Sequence, residues 1–204
     1  MSEKKPKIIF VCMGNTCRSP MAEMLLKEAL KQYSLQGIAV ASAGIKAKRG
    51  DTINEKSAQV LREYGIAVGE FKSKKLNDKM LRDAYAIVCM TEKQRDYLMD
   101  ARWNALKKQG EEAEENIVYS FAEITGNEIP DPYGRDVDAY RYVFGLMAKG
   151  MAPLIDKLGL RAVAKQPKKR GRPKKTEAEK KSANAKTEQD NAKQKTEQLN
   201  IFGE

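Results

Sequence analysis

A chain of 204 residues with a net charge of +10 and no histidine has room for one ordinary domain and a further segment. The missing histidine excludes histidine metal sites and histidine acids, and Cys12, Cys17 and Cys89 are too few and too irregularly spaced for a disulfide framework. No apolar run approaches the ~18 residues of a membrane-spanning helix, and Met1 to Pro6 lacks the apolar core of a signal peptide, so a reducing, cytoplasmic setting is expected.

In chain order, Ile8-Ile9-Phe10-Val11 is an apolar, β-branched run that reads as a strand. A loop with Cys12, Gly14 and Asn15 follows. A helix then begins at Ser19-Pro20 and runs to Gln32, with Met21, Met24, Leu25 and Ala29 at helical spacing. Residues 38–42 read as a second strand closed by Ala43-Gly44. Residues 53–64 read as a helix with Gly65 as its C-cap, and 77–82 as a short helix capped by Asn77. Residues 85–90 make a third, buried strand, Thr91 caps a helix to about Lys108, and 117–120 make a fourth strand. Residues 128–135, EIPDPYGR, are irregular by necessity, since they hold two prolines and a glycine. A last helix spans about 137–158, and Pro153 should kink or split it.

Strands alternating with helices predict an α/β domain over residues 1–163. Its expected architecture is three layers, with a central parallel sheet of about four strands and helices on both faces. Ligands bind such sheets at the carboxyl ends of the strands, where Cys12 falls. After Ala164 the composition changes: about +6 of the net charge lies in residues 164–204, which hold almost no large apolar side chain. Such a segment cannot bury enough surface to offset chain entropy, and a basic disordered tail is expected.

The chemistry concentrates in Ile8 to Glu23, IIFVCMGNTCRSPMAE. A strand, a tight loop and a helix N-terminus bring backbone N–H groups and a positive dipole end to one point, which suits an anion. Cys12 opens that loop and Arg18 closes it. A thiolate is the nucleophilic form of cysteine, and a helix N-terminus with a nearby cation favours it. The guanidinium fork matches two phosphoryl oxygens, which lysine does not. Together they suggest covalent phosphoryl transfer. With no histidine, Asp131 is the candidate general acid. No metal or other cofactor is required, because Arg18 and the loop amides can neutralise the charge. Taken singly, Cys12 is an ordinary buried thiol, Asp131 a turn residue, and Cys89 a structural thiol in an apolar strand.

The spacing Cys12…Arg18-Ser19 with Gly14 and Asn15 inside, Ser42-Ala43-Gly44, Cys89-Met90 and Asp131-Pro132-Tyr133 resemble the low-molecular-weight protein tyrosine phosphatase family over about residues 6–160. The resemblance implies a phosphoprotein phosphatase working through a phosphocysteine on Cys12, with Arg18 as clamp and Asp131 as acid, then base. It implies that Met13, Gly14, Asn15, Thr16, Cys17, Ser19 and Tyr133 meet the substrate, and that Asn15 hydrogen-bonds Ser42. By the same precedent Cys17 is either passive or pairs with Cys12 under oxidation. Thr16 stands where tyrosine-specific members commonly carry isoleucine. GNTCRSPMAE, Met90-Thr91 and Asp131-Pro132-Tyr133-Gly134 look more like the bacterial protein arginine phosphatases. Tyr133, an aromatic wall suited to a phenyl ring, points the other way, so phosphotyrosine and phosphoarginine both stand as substrates. Arsenate reductases share the loop but draw on further cysteines downstream, and only Cys89 lies there.

Two tail motifs support a non-enzymatic alternative, a DNA- or clamp-associated protein with a vestigial catalytic domain. Lys169 to Lys175 contains Arg170-Gly171-Arg172-Pro173 and resembles an AT-hook, which places arginine in the narrow minor groove. Gln198 to Phe202, QLNIF, resembles the short peptides that dock bacterial sliding clamps. Intact Cys12, Arg18 and Asp131 argue against that alternative.

Overall fold

The computed structural model describes residues 5–112 and 115–164. The two tail motifs, Lys169 to Lys175 and Gln198 to Phe202, lie outside them. Four parallel strands form one sheet in the order β2-β1-β3-β4: β1 (Lys7–Cys12), β2 (Ala39–Gly44), β3 (Ala86–Cys89) and β4 (Val118–Ser120). The chain leaves β1 toward β2 on one side and returns to β3 on the other. The topological switch therefore lies beside the carboxyl end of β1, the place where open α/β sheets bind ligands.

The apolar runs of β1 and β3 follow from burial on both faces. Ile8, Phe10 and Cys12 alternate into one core with Ala86, Val88 and Met90. Ile9 and Val11 join Ile87 and Cys89 in the other. The first core is covered by α1 (Arg18–Gln32), α2 (Glu55–Glu63), α5 (Phe121–Thr125) and α6 (Val137–Lys157). Helices α3 (Asp78–Asp83) and α4 (Glu92–Lys107) close the second. A final turn, α7 (Leu160–Val163), buries Leu160.

Several expected boundaries move. Helix α1 starts at Arg18, one residue before Ser19-Pro20, which leaves Pro20 in its first turn, where a missing N–H is harmless. The β2 ladder continues through Ala43 and Gly44, which pair with Val11 and Cys12. Helix α2 begins after Asn54, whose side chain accepts the Lys56 N–H at 3.0 Å. Two short helices, α5 and α7, were not expected. Pro153 does not split α6, which runs unbroken through it. Pro153 and Lys149 are both exposed, so water can satisfy the carbonyl that a proline N–H cannot reach.

Candidate active site

The turn from β1 into α1 is built around Asn15, which adopts a left-handed backbone with φ 55°. Asparagine tolerates this region better than most residues. Its side chain is fully buried and spends every polar atom inside the protein. Nδ2 donates to Ser19 Oγ and Ser42 Oγ, each at 2.9 Å, and Oδ1 accepts the Lys74 N–H at 2.8 Å. Ser42 Oγ in turn donates to Glu23 Oε2 at 2.6 Å. This chain of bonds ties α1, β2 and the segment at Lys74 to the loop, and it ends on the thiol. Ser19 Oγ lies 3.0 Å from Cys12 Sγ, and the Asn15 N–H donates to the same sulfur at 3.3 Å.

Arg18 is 4% exposed. Its Nη1 donates to the Ile129 carbonyl at 3.1 Å and its Nη2 to Asp131 Oδ2 at 2.5 Å. Asp131 uses its second oxygen to accept the Tyr133 N–H at 3.2 Å, which closes the turn that presents Tyr133. Ile129 is itself anchored to the end of β3 through its N–H on the Met90 carbonyl at 2.9 Å. Segments more than a hundred residues apart thus converge on one guanidinium.

Between them lies a cavity of about 230 Å³, lined by Cys12, Met13, Gly14, Thr16, Cys17, Arg18, Asp131 and Tyr133. Eight of the expected site residues therefore meet at one space. Asn15, Ser19 and Ser42 stand behind the loop, bonded to one another. A Cβ on Gly14 would meet only Thr16 Oγ1, at 3.5 Å, so the protein itself does not require glycine there. At the cradle the crowded glycine is Gly44, whose Cβ would lie 2.8 Å from Asn15 N and from Met13 O. A larger cavity, about 630 Å³, lies near the far end of α1 beside Leu30, Leu35 and Val40 and is lined by no cysteine or arginine.

Cys17 is buried, 3.7 Å from both Tyr140 Oη and Thr16 Oγ1. Burial pushes its thiol above the ordinary range, and burial likewise raises the Tyr140 hydroxyl. Cys17 therefore remains a thiol across neutral pH. Cys89, sealed in β3, is pushed up to about 12 by burial, which fits a structural role. All three cysteines are free.

Glu23, Ile129, Lys74 and Gly44 were not singled out for these contacts from the sequence. Glu23 had a signal: it stands one helical turn after Ser19, on the same face. The other three act through backbone atoms or through close approach, which side-chain chemistry does not announce.

A parallel α/β domain whose first strand ends in a thiol, an anion cradle and a buried guanidinium defines a class of phosphoryl-handling enzymes. The chain belongs to the family described as low molecular weight phosphotyrosine protein phosphatase, whose model matches residues 7–168. The protein-arginine-phosphatase of Geobacillus stearothermophilus is 34% identical over 135 residues, covering 66% of this chain and 84% of the relative. The probable low molecular weight protein-tyrosine-phosphatase AmsI of Erwinia amylovora is 30% identical over 151 residues, covering 74% of this chain and 96% of the relative. Among solved structures, the YwlE arginine phosphatase from Geobacillus stearothermophilus superposes with a TM-score of 0.65 at 30% identity, covering 78% of this chain and 96% of that one. Among the described residues no helix is long and apolar enough to cross a membrane.

Proposed function

We propose that this phosphatase hydrolyses phosphorylated side chains of proteins through a phosphocysteine on Cys12. The observation that carries the reading is the meeting of Cys12, Arg18 and Asp131 on a cavity of about 230 Å³, the size of one side chain. Cys12 Sγ attacks phosphorus from the loop, and the bond from phosphorus to the substrate's oxygen or nitrogen breaks. Arg18 and the loop N–H groups bind the phosphoryl oxygens, a preorganised arrangement for developing charge. Asp131 gives its proton to the leaving atom. It then takes a proton from water as that water attacks the phosphocysteine, releasing inorganic phosphate and restoring the thiolate. Ser19 and the Asn15 N–H, both on Cys12 Sγ, stabilise its anion.

Thr16 and Tyr133 divide the substrate choice at the cavity mouth. Thr16 is small and carries a hydroxyl, and its carbonyl is anchored by the Asn54 N–H at 2.8 Å. A branched guanidinium fits beside it and gains a hydrogen-bond partner. Tyr133 offers a ring face to a phenyl group. Phosphoarginine, phosphotyrosine or both are thus the substrates, in the reducing cytoplasm that keeps a nucleophilic thiol reduced. The expected DNA contact through Lys169 to Lys175 and protein contact through Gln198 to Phe202 take no part in this reading.

The test is kcat/KM on matched phosphoarginine and phosphotyrosine peptides for wild type and Thr16→Ile, with Cys12→Ser as blank. Cys12→Ser loses turnover by about 10⁴-fold or more while still binding phosphate. Preference for phosphoarginine that Thr16→Ile reverses makes Thr16 the gate. Preference for phosphotyrosine that survives the substitution assigns the choice to Tyr133. Turnover no greater than the blank on both peptides overturns the catalytic reading.

A further inference from the structure

One side of the cradle is bordered by a ridge of cations that the reaction itself does not use. Two segments form it, residues 45–50 after β2 and residues 72–75. They are stitched by backbone bonds: the Gly50 N–H donates to the Ser73 carbonyl at 3.1 Å, and the Ser73 N–H to the Asp51 carbonyl at 2.8 Å. The buried Ser73 hydroxyl adds a bond to the Lys48 carbonyl. The ridge is fastened directly to the phosphate loop. The Lys46 N–H donates to the Met13 carbonyl at 2.9 Å, and the Lys74 N–H to Asn15 Oδ1 at 2.8 Å. The bare backbone of Gly44 permits this close approach.

The side chains of Lys46, Lys48, Arg49, Lys72, Lys74 and Lys75 are all exposed. Among the described residues none of them forms an ion pair, whereas Lys79 pairs with Asp83, Arg141 with Glu63 and Arg95 with Glu123. Residues 45–76 carry Asp51, Glu55, Glu63 and Glu70; Glu55 pairs with Arg62 and Glu63 with Arg141, which leaves Asp51 and Glu70 against these six cations. The other segment at the cavity carries Asp131, paired with Arg18, and continues to Asp136 and to Asp138, which pairs with Arg141, so its charges are largely compensated where those of the ridge are not. Clustered like charges repel one another, and their field beside a cleft concentrates anions and speeds their arrival. The phosphoryl group itself is met by Arg18 inside the cavity. Since that cavity admits one side chain, the anion facing the ridge lies outside it, on the chain that carries the phosphorylated residue. A polynucleotide would satisfy the ridge but has no side chain to send into the cavity.

We infer that the ridge reads acidic residues flanking the phosphorylated side chain, so that acidic phosphoprotein segments are the preferred substrates. This inference rests on the phosphatase reading above. The experiment measures kcat/KM on phosphotyrosine and phosphoarginine peptides flanked by Glu or by Gln. Wild type favours the Glu-flanked peptides by about tenfold or more at low salt, and the ratio shrinks as ionic strength rises. In Lys48→Glu/Arg49→Glu/Lys72→Glu the ratio falls to one or inverts; each enzyme supplies its own ratio. If that variant does not fold, the salt dependence of the wild-type ratio decides. Equal values for Glu and Gln peptides overturn the inference, as does a ratio unchanged by charge reversal. A single-stranded oligonucleotide that displaces the Glu-flanked peptide at lower concentration than free Glu-flanked peptide does would assign the ridge to nucleic acid and also overturn it. Hydrolysis of para-nitrophenyl phosphate by wild type separates the two readings. Its absence sinks the phosphatase reading, while its presence without a Glu preference sinks the ridge alone.

Discussion

The two loops that meet at the cavity are built in opposite ways. Residues 12–19 form a closed structure: Asn15 and Ser19 are fully buried and Ser42 is 2% exposed, with their polar atoms paired to one another, to Cys12, to Glu23 or to the backbone. Residues 129–135 form an open one. The Asp131 side chain is 52% exposed and Tyr133 is 73% exposed, held by Arg18 and a local turn. Buried networks with every member satisfied hold one geometry. On the proposed mechanism the difference separates two tasks: the closed loop presets the donors for a phosphoryl group, and the open loop faces leaving groups of different shape.

Removing the carboxyl from the open loop has the largest expected effect. Asp131→Ala slows turnover of poor leaving groups on the order of 10²–10⁴-fold, while activated aryl phosphates, which need no proton, slow less. Equal slowing of both would remove Asp131 from the acid role. Stability falls by about 1–3 kcal/mol as well, because the buried Arg18 guanidinium loses the acceptor of its Nη2.

A single methyl group breaks the closed loop. Gly44→Ala places a carbon 2.8 Å from Met13 O and Asn15 N, backbone atoms that cannot swing aside. Overpacking of this kind costs about 1–3 kcal/mol, which lowers Tm by about 2–4 °C per kcal/mol in a protein of this size. Phosphate affinity falls with it, since the same atoms shape the cradle. An unchanged Tm with unchanged phosphate affinity would show that the loop has slack. The smallest effect tests the scaffold away from both loops. Arg141 donates to both Glu63 oxygens, at 2.8 and 2.7 Å, and holds its carboxyl down at about 2 against an ordinary 4.5. A depressed carboxylate stabilises the fold above about pH 4.5 and loses that contribution as pH falls toward about 2. Denaturation of wild type and Glu63→Gln should therefore differ at neutral pH and converge in acid. A gap that persists at low pH would rule out the ion pair as its source.

The closed loop was legible because its chemistry is contiguous, with Cys12, Asn15, Arg18 and Ser19 inside eight residues of sequence. The open loop was legible only as Asp-Pro-Tyr in an irregular stretch. Its seat on Ile129 depends on where β3 ends, which no local pattern states. The sheet was legible from apolar strands alternating with helical periodicity. Helix α5 was not, although Ser120 and Glu123 form a reciprocal capping box, a pattern visible in the sequence. At five residues it is too short for periodicity to register. Gly44 was seen as the end of a strand, but its crowding comes from the register that places it beside Cys12.

Arg18 already has two acceptors within the protein, Ile129 O and Asp131 Oδ2. On the proposed mechanism an arriving phosphoryl group does not fill idle donors; it displaces an incumbent, and binding is an exchange. The exchange also runs backward. When inorganic phosphate is ready to leave, Asp131 gives up the proton it took from water and, as a carboxylate again, recaptures the guanidinium. The enzyme thus carries an internal competitor for its own product, and the residue that opens the chemistry also clears the site for the next round.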